Sequence, residues 1–522
     1  DLVQFQSSGG SYANHSRLAK SAFINCNPPS TTTSYRWVSM YGTYNRMDHC
    51  YFSGKNHSGP VFSVRRLEPN PNYALIDSNY FGYRPNLGVN GGETIQIGTG
   101  TYSLYNSGTA VEYNLFERCN GEIETISNKS CENTIRYNTF LNNEGAITLR
   151  QGRRCHMYGN FFFGNGTSST GGIRVHGDDH KIYNNYFSGL QGDDTRSALS
   201  IENGYVVTDT TSAALYFPVR RLLVAFNTFV NNRYNINIGI AGDALSVVPP
   251  DSITFANNVI RGINGVTQSP LILQVDTATN VTWASNMFYG TTLGISPVPV
   301  GINNINDPLL NLQTDGFYRP ALNSPLINSA TGSYSFVTTD MDGQLRETLA
   351  DIGADEVSTA PISIKPVTSG DVGPYISHAI TVNQNSNGTV TPGTTSVPWG
   401  ANQRFAFSTN TGYHVDSVYV DGVYISDSTS AFTFYNVRQN HEIYVNFSII
   451  LISLTTKVTN QWNLVSVPLM TQNYCKDSLF STAISNAFTF SSCYIAQDTL
   501  INGAGYWLKF PEDGNIPLYG ED

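Results

Sequence analysis

The triplets Asn114-Leu-Phe116, Asn138-Thr-Phe140, Asn160-Phe-Phe162 and Asn185-Tyr-Phe187 follow one another at separations of 24, 22 and 25 residues. The unit extends outward as Asn79-Tyr-Phe81 on one side and as Asn227-Thr-Phe229, Asn258-Val-Ile260 and Asn286-Met-Phe288 on the other. The wider gaps, 35 residues before and 42 after, fit one repeat plus an inserted loop. Short β-prone runs such as Ile135-Arg-Tyr137 and Lys181-Ile-Tyr183 precede the triplets. This period is too short for a propeller blade, and the leucine pattern of leucine-rich repeats is missing. It suits an all-β, right-handed parallel β-helix with about three short strands per coil. The Asn of each coil is then expected to stack on those above and below, with the Phe two residues on pointing into the core.

The composition agrees. The chain has 522 residues, 40% hydrophobic and 13% charged, with 46 Gly, 31 Tyr and 27 Phe, which excludes a coiled coil and a disordered chain. No apolar run reaches the ~18 residues of a membrane span. A net charge of −10 argues against a broad nucleic-acid-binding face. Seven cysteines lie scattered without metal-ligand spacing; Cys475 and Cys493 are candidates for a pair, the others for buried thiols. The chain starts at Asp1 without Met, and its low charge with abundant Asn, Ser, Thr, Gly and Tyr is the composition of secreted or cell-surface bacterial β proteins.

The repeat is expected to occupy residues 1–357, closing with Asp340-Met-Asp-Gly-Gln-Leu-Arg346 and Asp351-Ile-Gly-Ala-Asp-Glu356. A linker is expected at 358–376. Over 377–449, alternating apolar residues bounded by Asp-Gly and Pro-Gly turns read as a small antiparallel module. Residues 450–522 read as a further, incomplete β module. In these tails Tyr413, Trp399, Trp462 and Trp507 could stack on sugars, with core packing the expected role.

Residues one coil apart in a β-helix lie side by side, about 5 Å apart at strand spacing. Lys129 to Arg150 is 21 residues and Arg150 to Arg174 is 24, so the spacing predicts three cations in register on successive coils. Glu122 and Glu124 share one strand face beside Lys129, and Asn90-Gly-Gly-Glu93 lies one coil earlier. Asn90, Glu93, Glu122 and Glu124 together form an oxygen-donor set of the kind Ca²⁺ prefers. The bland reading is a solvated charge ladder, but two like carboxylates side by side call for a cation.

The runs Gly121-Glu-Ile-Glu-Thr-Ile-Ser-Asn-Lys-Ser130, Leu149-Arg-Gln-Gly152 and Gly171-Gly-Ile-Arg-Val-His-Gly177 resemble the signature of polysaccharide lyase family 6. Its members are alginate lyases and dermatan-cleaving enzymes of the chondroitinase B type. Asp48-His-Cys-Tyr-Phe-Ser-Gly-Lys55 and Asn79-Tyr-Phe-Gly-Tyr-Arg84 also fit, and the resemblance covers roughly residues 10–357. It implies that Lys129 is the base, Arg150 the acid or leaving-group stabiliser, and Arg174 a contact to the substrate carboxylate. It also implies Ca²⁺ on Asn90, Glu122 and Glu124, with Glu93 a further ligand. Gln151, His176 and Lys55 are expected to touch substrate. Gln151 stands where many relatives carry His, and Gln96 where Arg is common. Relatives complete several coils before the point where this chain begins, so N-terminal coils are expected to be missing. The implied activity is β-elimination on an anionic polysaccharide, alginate first. Dermatan or chondroitin cleavage, or glycan binding without catalysis, are the alternatives.

Overall fold

A computed structural model describes residues 1–208, 215–262, 270–290, 292–374, 377–398, 400–425 and 430–521. It falls into two compact units, Asp1–Tyr375 and Ile376–Asp522. Trp399 lies outside the described residues.

Unit 1 is a parallel β-helix. Three sheets of 10, 10 and 11 strands run its length, and each strand pairs in parallel with its counterparts one coil away. Alternation does the sorting: Ile95 and Ile97 point in while Gln96 points out, and Ile126, Ile147 and Ile173 continue the inner row. The expected amide ladder forms along all eight Asn. Nδ2 of Asn79, Asn114, Asn138, Asn160, Asn185 and Asn227 each donates to the next Asn Oδ1 at 3.0 Å, and Asn258 to Asn286 at 2.9 Å. The ladder sits at a corner whose preceding residue is left-handed: Tyr113, Tyr137, Asn184, Phe226 and Asn257 all have φ between 53° and 56°. That single αL residue turns the chain sharply from the second sheet into the third. Behind it, Phe81, Phe116, Phe140, Phe162, Phe187 and Phe229 stack with ring centroids 4.7–5.0 Å apart and are buried.

Beyond the last coil the chain runs back along the outer face of the third sheet. Leu310, Phe317, Leu326, Met341 and Ile352 cover Phe161, Tyr186, Val230, Val259 and Met287. The stretch expected to be a linker is not free chain over its length: Val367 N–H donates to Thr139 Oγ1 (2.7 Å) and Gly373 N–H to the Ser78 carbonyl (3.0 Å).

Unit 2 holds a five-stranded and a three-stranded sheet over Ser377–Ile449, then a two-stranded and a four-stranded sheet up to Gly520. Among the described residues its strands pair antiparallel except Ser377–Gln384 with His441–Ile449, which is parallel, and an isolated parallel bridge joins Val467 to Asn502. Cys475 and Cys493, candidates for a pair, are both free and exposed.

Candidate functional site

The outer face of the first sheet carries the site, between the strands Ile95–Gly98, Glu124–Lys129, Ala146–Gln151, Ile173–Val175 and Leu199–Glu202. The three cations come together here, but not in register. Asn128 pairs with Leu149 and Lys129 with Gln151, so Arg150 is the extra residue of a bulge; Arg174 pairs with Thr148. Counting residues per coil misses this, because a bulge inserts one residue and re-aims its side chain.

What unites the cations is carboxylate. Arg150 Nη1 lies 3.4 Å from Glu124 Oε2, and Arg174 Nη1 lies 3.7 Å from Glu124 Oε1. Lys129 Nζ lies 3.8 Å from Glu93 Oε1. Glu93, Glu122 and Glu124 bring carboxylate oxygens within 4.8 Å of one another. Burial, reinforced by Glu93 and Glu124, pushes the Glu122 carboxyl up to about 8. Glu93 Oε2 and Glu122 Oε1 are buried without a hydrogen-bond partner. Three converging carboxylates with two orphaned oxygens suit a hard divalent cation, and these acidic groups could hold one. Asn90 is exposed on the wall of the same groove, which encloses about 430 Å³ and is also lined by Arg150, Arg174, Arg196, Tyr216 and Asp243.

Two residues absent from the sequence reading organise the far side. Glu202 takes Arg174 in a two-pronged bond, Oε1 to Nε at 2.7 Å and Oε2 to Nη2 at 2.8 Å, and Oε2 also lies 3.1 Å from His176 Nε2. Tyr216 stacks on His176 (4.7 Å between centroids) and lies beneath the Arg150 guanidinium (5.4 Å). Glu202 is 28 residues past Arg174, beyond the repeat period and two residues past Ser200, the register partner of Arg174, so counting coils does not reach it. Tyr216 belongs to the long insertion between repeats, where no periodicity points.

Two expected substrate contacts lie outside the residues that line this groove. Lys55 is 1% exposed; its amine donates to the His57 and Ser58 carbonyls at 2.8 and 3.0 Å, so it is an internal strut. Burial, with Arg84 and Arg36 nearby, pulls it down to about 6. His176 is fully buried between Glu202 and Tyr216 and supports them instead of facing the groove. Gln151 is buried beside Lys129 in the pairing, with its Oε1 unbonded.

A second acidic group, Asp340, Asp342 and Asp355, is answered from within, since Arg319 Nη1 contacts Asp342 at 2.5 Å and Asp355 at 2.6 Å. In unit 2, Trp462, Phe488, Tyr494 and Trp507 line an open cleft of about 420 Å³. Trp462, expected as core, is therefore a surface residue, half exposed.

The class is that of the β-helix polysaccharide lyases. The family model described as Chondroitinase B matches residues 1–331, and the chain belongs to that family, polysaccharide lyase family 6. Among solved structures it is similar to a point mutant of the family 6 alginate lyase AlyGC, with TM-score 0.61 and 30% identity over 74% of this chain and 50% of that one. It is also similar to a mannuronic acid-specific family 6 lyase from human gut microbiota, with TM-score 0.52 and 30% identity over 58% of this chain and 70% of that one. A complex of the alginate lyase AlyF-OU02 shares the fold at 22% identity and TM-score 0.56, over 69% of this chain and 75% of that one. The chain spans about half the length of the first of these structures. No curated protein sequence matches it.

Proposed function

We propose that this protein is an exported, calcium-dependent lyase that cleaves a uronate-containing polysaccharide, alginate, by β-elimination. The observation that carries the reading is the linkage of Lys129, Arg150 and Arg174 through Glu93, Glu122 and Glu124 on the first sheet, where Arg150, Arg174, Glu122 and Glu124 line the groove. Lys129 takes the C5 proton, the C5–H electron pair forms the C4=C5 double bond, and the C4–O4 bond breaks with its pair on O4. Arg174 binds the uronate carboxylate. Burial works to lower the Arg150 guanidinium, but Glu124 and Tyr216 outweigh it and the net shift is upward. Arg150 therefore keeps its proton and stabilises the leaving oxygen as a fixed charge, with water supplying the proton to O4. Asn90, Glu93, Glu122 and Glu124 would hold Ca²⁺, which when bound neutralises the C6 carboxylate and makes the C5 proton more acidic.

Alginate, dermatan sulfate and chondroitin are incubated with the protein, with and without EDTA, and ultraviolet absorbance of the unsaturated product is followed. Calcium-dependent product from alginate is expected. Product from dermatan alone transfers the reading to the chondroitinase type. Glycan binding without product from any polymer overturns it.

A further inference from the structure

Arg84 is fully buried, and among the described residues its guanidinium donates to backbone carbonyls alone. Its Nη1 donates to the Glu93 carbonyl; its Nη2 donates to His57 (3.0 Å), Gly59 (2.8 Å) and Gly91 (3.3 Å). Two turns on successive coils, 57–59 and 91–93, thus close over one guanidinium. They are also tied directly, Gly59 N–H to the Gly91 carbonyl at 2.8 Å. On the other side the 91–93 turn presses on the next coil. A Cβ on Gly92 would fall 2.2 Å from the Gly121 carbonyl oxygen, and one on Gly121 would fall 2.7 Å from Arg84 Nε. Only glycine at both places lets the backbone leading to Glu93 approach the backbone leading to Glu122.

We propose that Arg84 is a positioning residue for cation binding, holding the Gly91–Glu93 turn so that the Glu93 carboxylate faces Glu122 and Glu124. This rests on the reading of those carboxylates as a cation site. The planar fork of arginine spreads its donors over four carbonyls, which the point-like ammonium of lysine cannot do. A buried guanidinium without a carboxylate partner is costly to keep. Burial pulls the Arg84 guanidinium down, and Glu93 and Glu122 counter part of that cost, so the same charge that shapes the turn also favours the ionised ligands. Residues standing behind metal ligands in this way commonly change affinity by roughly 10–100-fold when altered.

The test is calorimetric titration of Ca²⁺ into the full chain, wild type against Arg84→Lys and Arg84→Met, with folding checked by circular dichroism. Folded variants are expected to bind calcium about 10–100-fold more weakly. A purely structural role would lower the melting temperature and leave the affinity of the folded molecules unchanged, which overturns the inference. Should neither variant fold, amide exchange of the wild type decides: calcium must slow exchange at 57–59 and 91–93, and unchanged rates there overturn it. Wild-type protein that binds no calcium overturns the cation reading along with this one. Wild-type affinity in Arg84→Met overturns only the role of Arg84.

Discussion

Glu202 holds Arg174 by both oxygens, at 2.7 and 2.8 Å, one coil further along the solenoid. The bond fixes the plane of the guanidinium and leaves Nη1 toward Glu124 and the groove. Both side chains are buried, so breaking the pair strands a charge, at about 3–5 kcal/mol. Glu202→Ala is expected to lose that much stability in chemical denaturation and to raise KM for the polysaccharide. A variant with native stability and native KM would show that Arg174 is placed by other means.

The Lys129 side chain is largely buried, and its polar contact among the described residues is one long ion pair to Glu93. Lys129→Ala breaks no close hydrogen bond and should remain folded. Its rate of unsaturated product formation should fall by about 10²-fold or more, the usual worth of a positioned base. An unimpaired variant removes Lys129 from the reaction.

The Glu122 carboxyl, raised to about 8 by burial and by Glu93 and Glu124, gives a pH signature. Between its ordinary value near 4.5 and about 8 the folded chain carries a proton that the unfolded chain lacks. The contribution of this group to stability is thus largest at low pH and is lost as pH rises through that window in the absence of metal. A cation must displace the same proton to bind. Calcium should raise the melting temperature more at pH 8 than at pH 5, read in thermal melts with calcium and with EDTA. Equal shifts at both pH values would contradict this.

The amide ladder makes a stability prediction far from the groove. Asn160 Oδ1 accepts the Asn138 backbone N–H (3.1 Å) and Asn138 Nδ2 (3.0 Å). Asn160→Ala strips the buried Asn138 backbone N–H of its acceptor, at about 1–3 kcal/mol, while Asn138 Nδ2 keeps the Val111 and Arg136 carbonyls. Asn160→Asp keeps the acceptor but loses the donations to the Ile135 and Tyr158 carbonyls, both within 3.2 Å. Denaturant midpoints should fall for both, and a native midpoint for Asn160→Ala would mean the ladder contributes nothing.

The amino-acid order alone determined the solenoid, its Asn ladder, its Phe stack and the membership of Glu93, Glu122, Glu124, Lys129, Arg150 and Arg174 in one neighbourhood. The ladder and the stack are contacts between residues one coil apart, and the site residues lie within one or two coils of one another, so their spacing prints itself as a period. Tertiary structure decided what periodicity cannot carry. The bulge at Arg150 inserts a residue and breaks the register without changing the repeat. Tyr216 arrives from an insertion that has no period. Lys55 turns inward because two carbonyls of its own turn outbid solvent for its amine. Where a side chain ends depends on which neighbour satisfies it, and in this protein that neighbour often sits on a coil whose offset the chain length between them does not reveal.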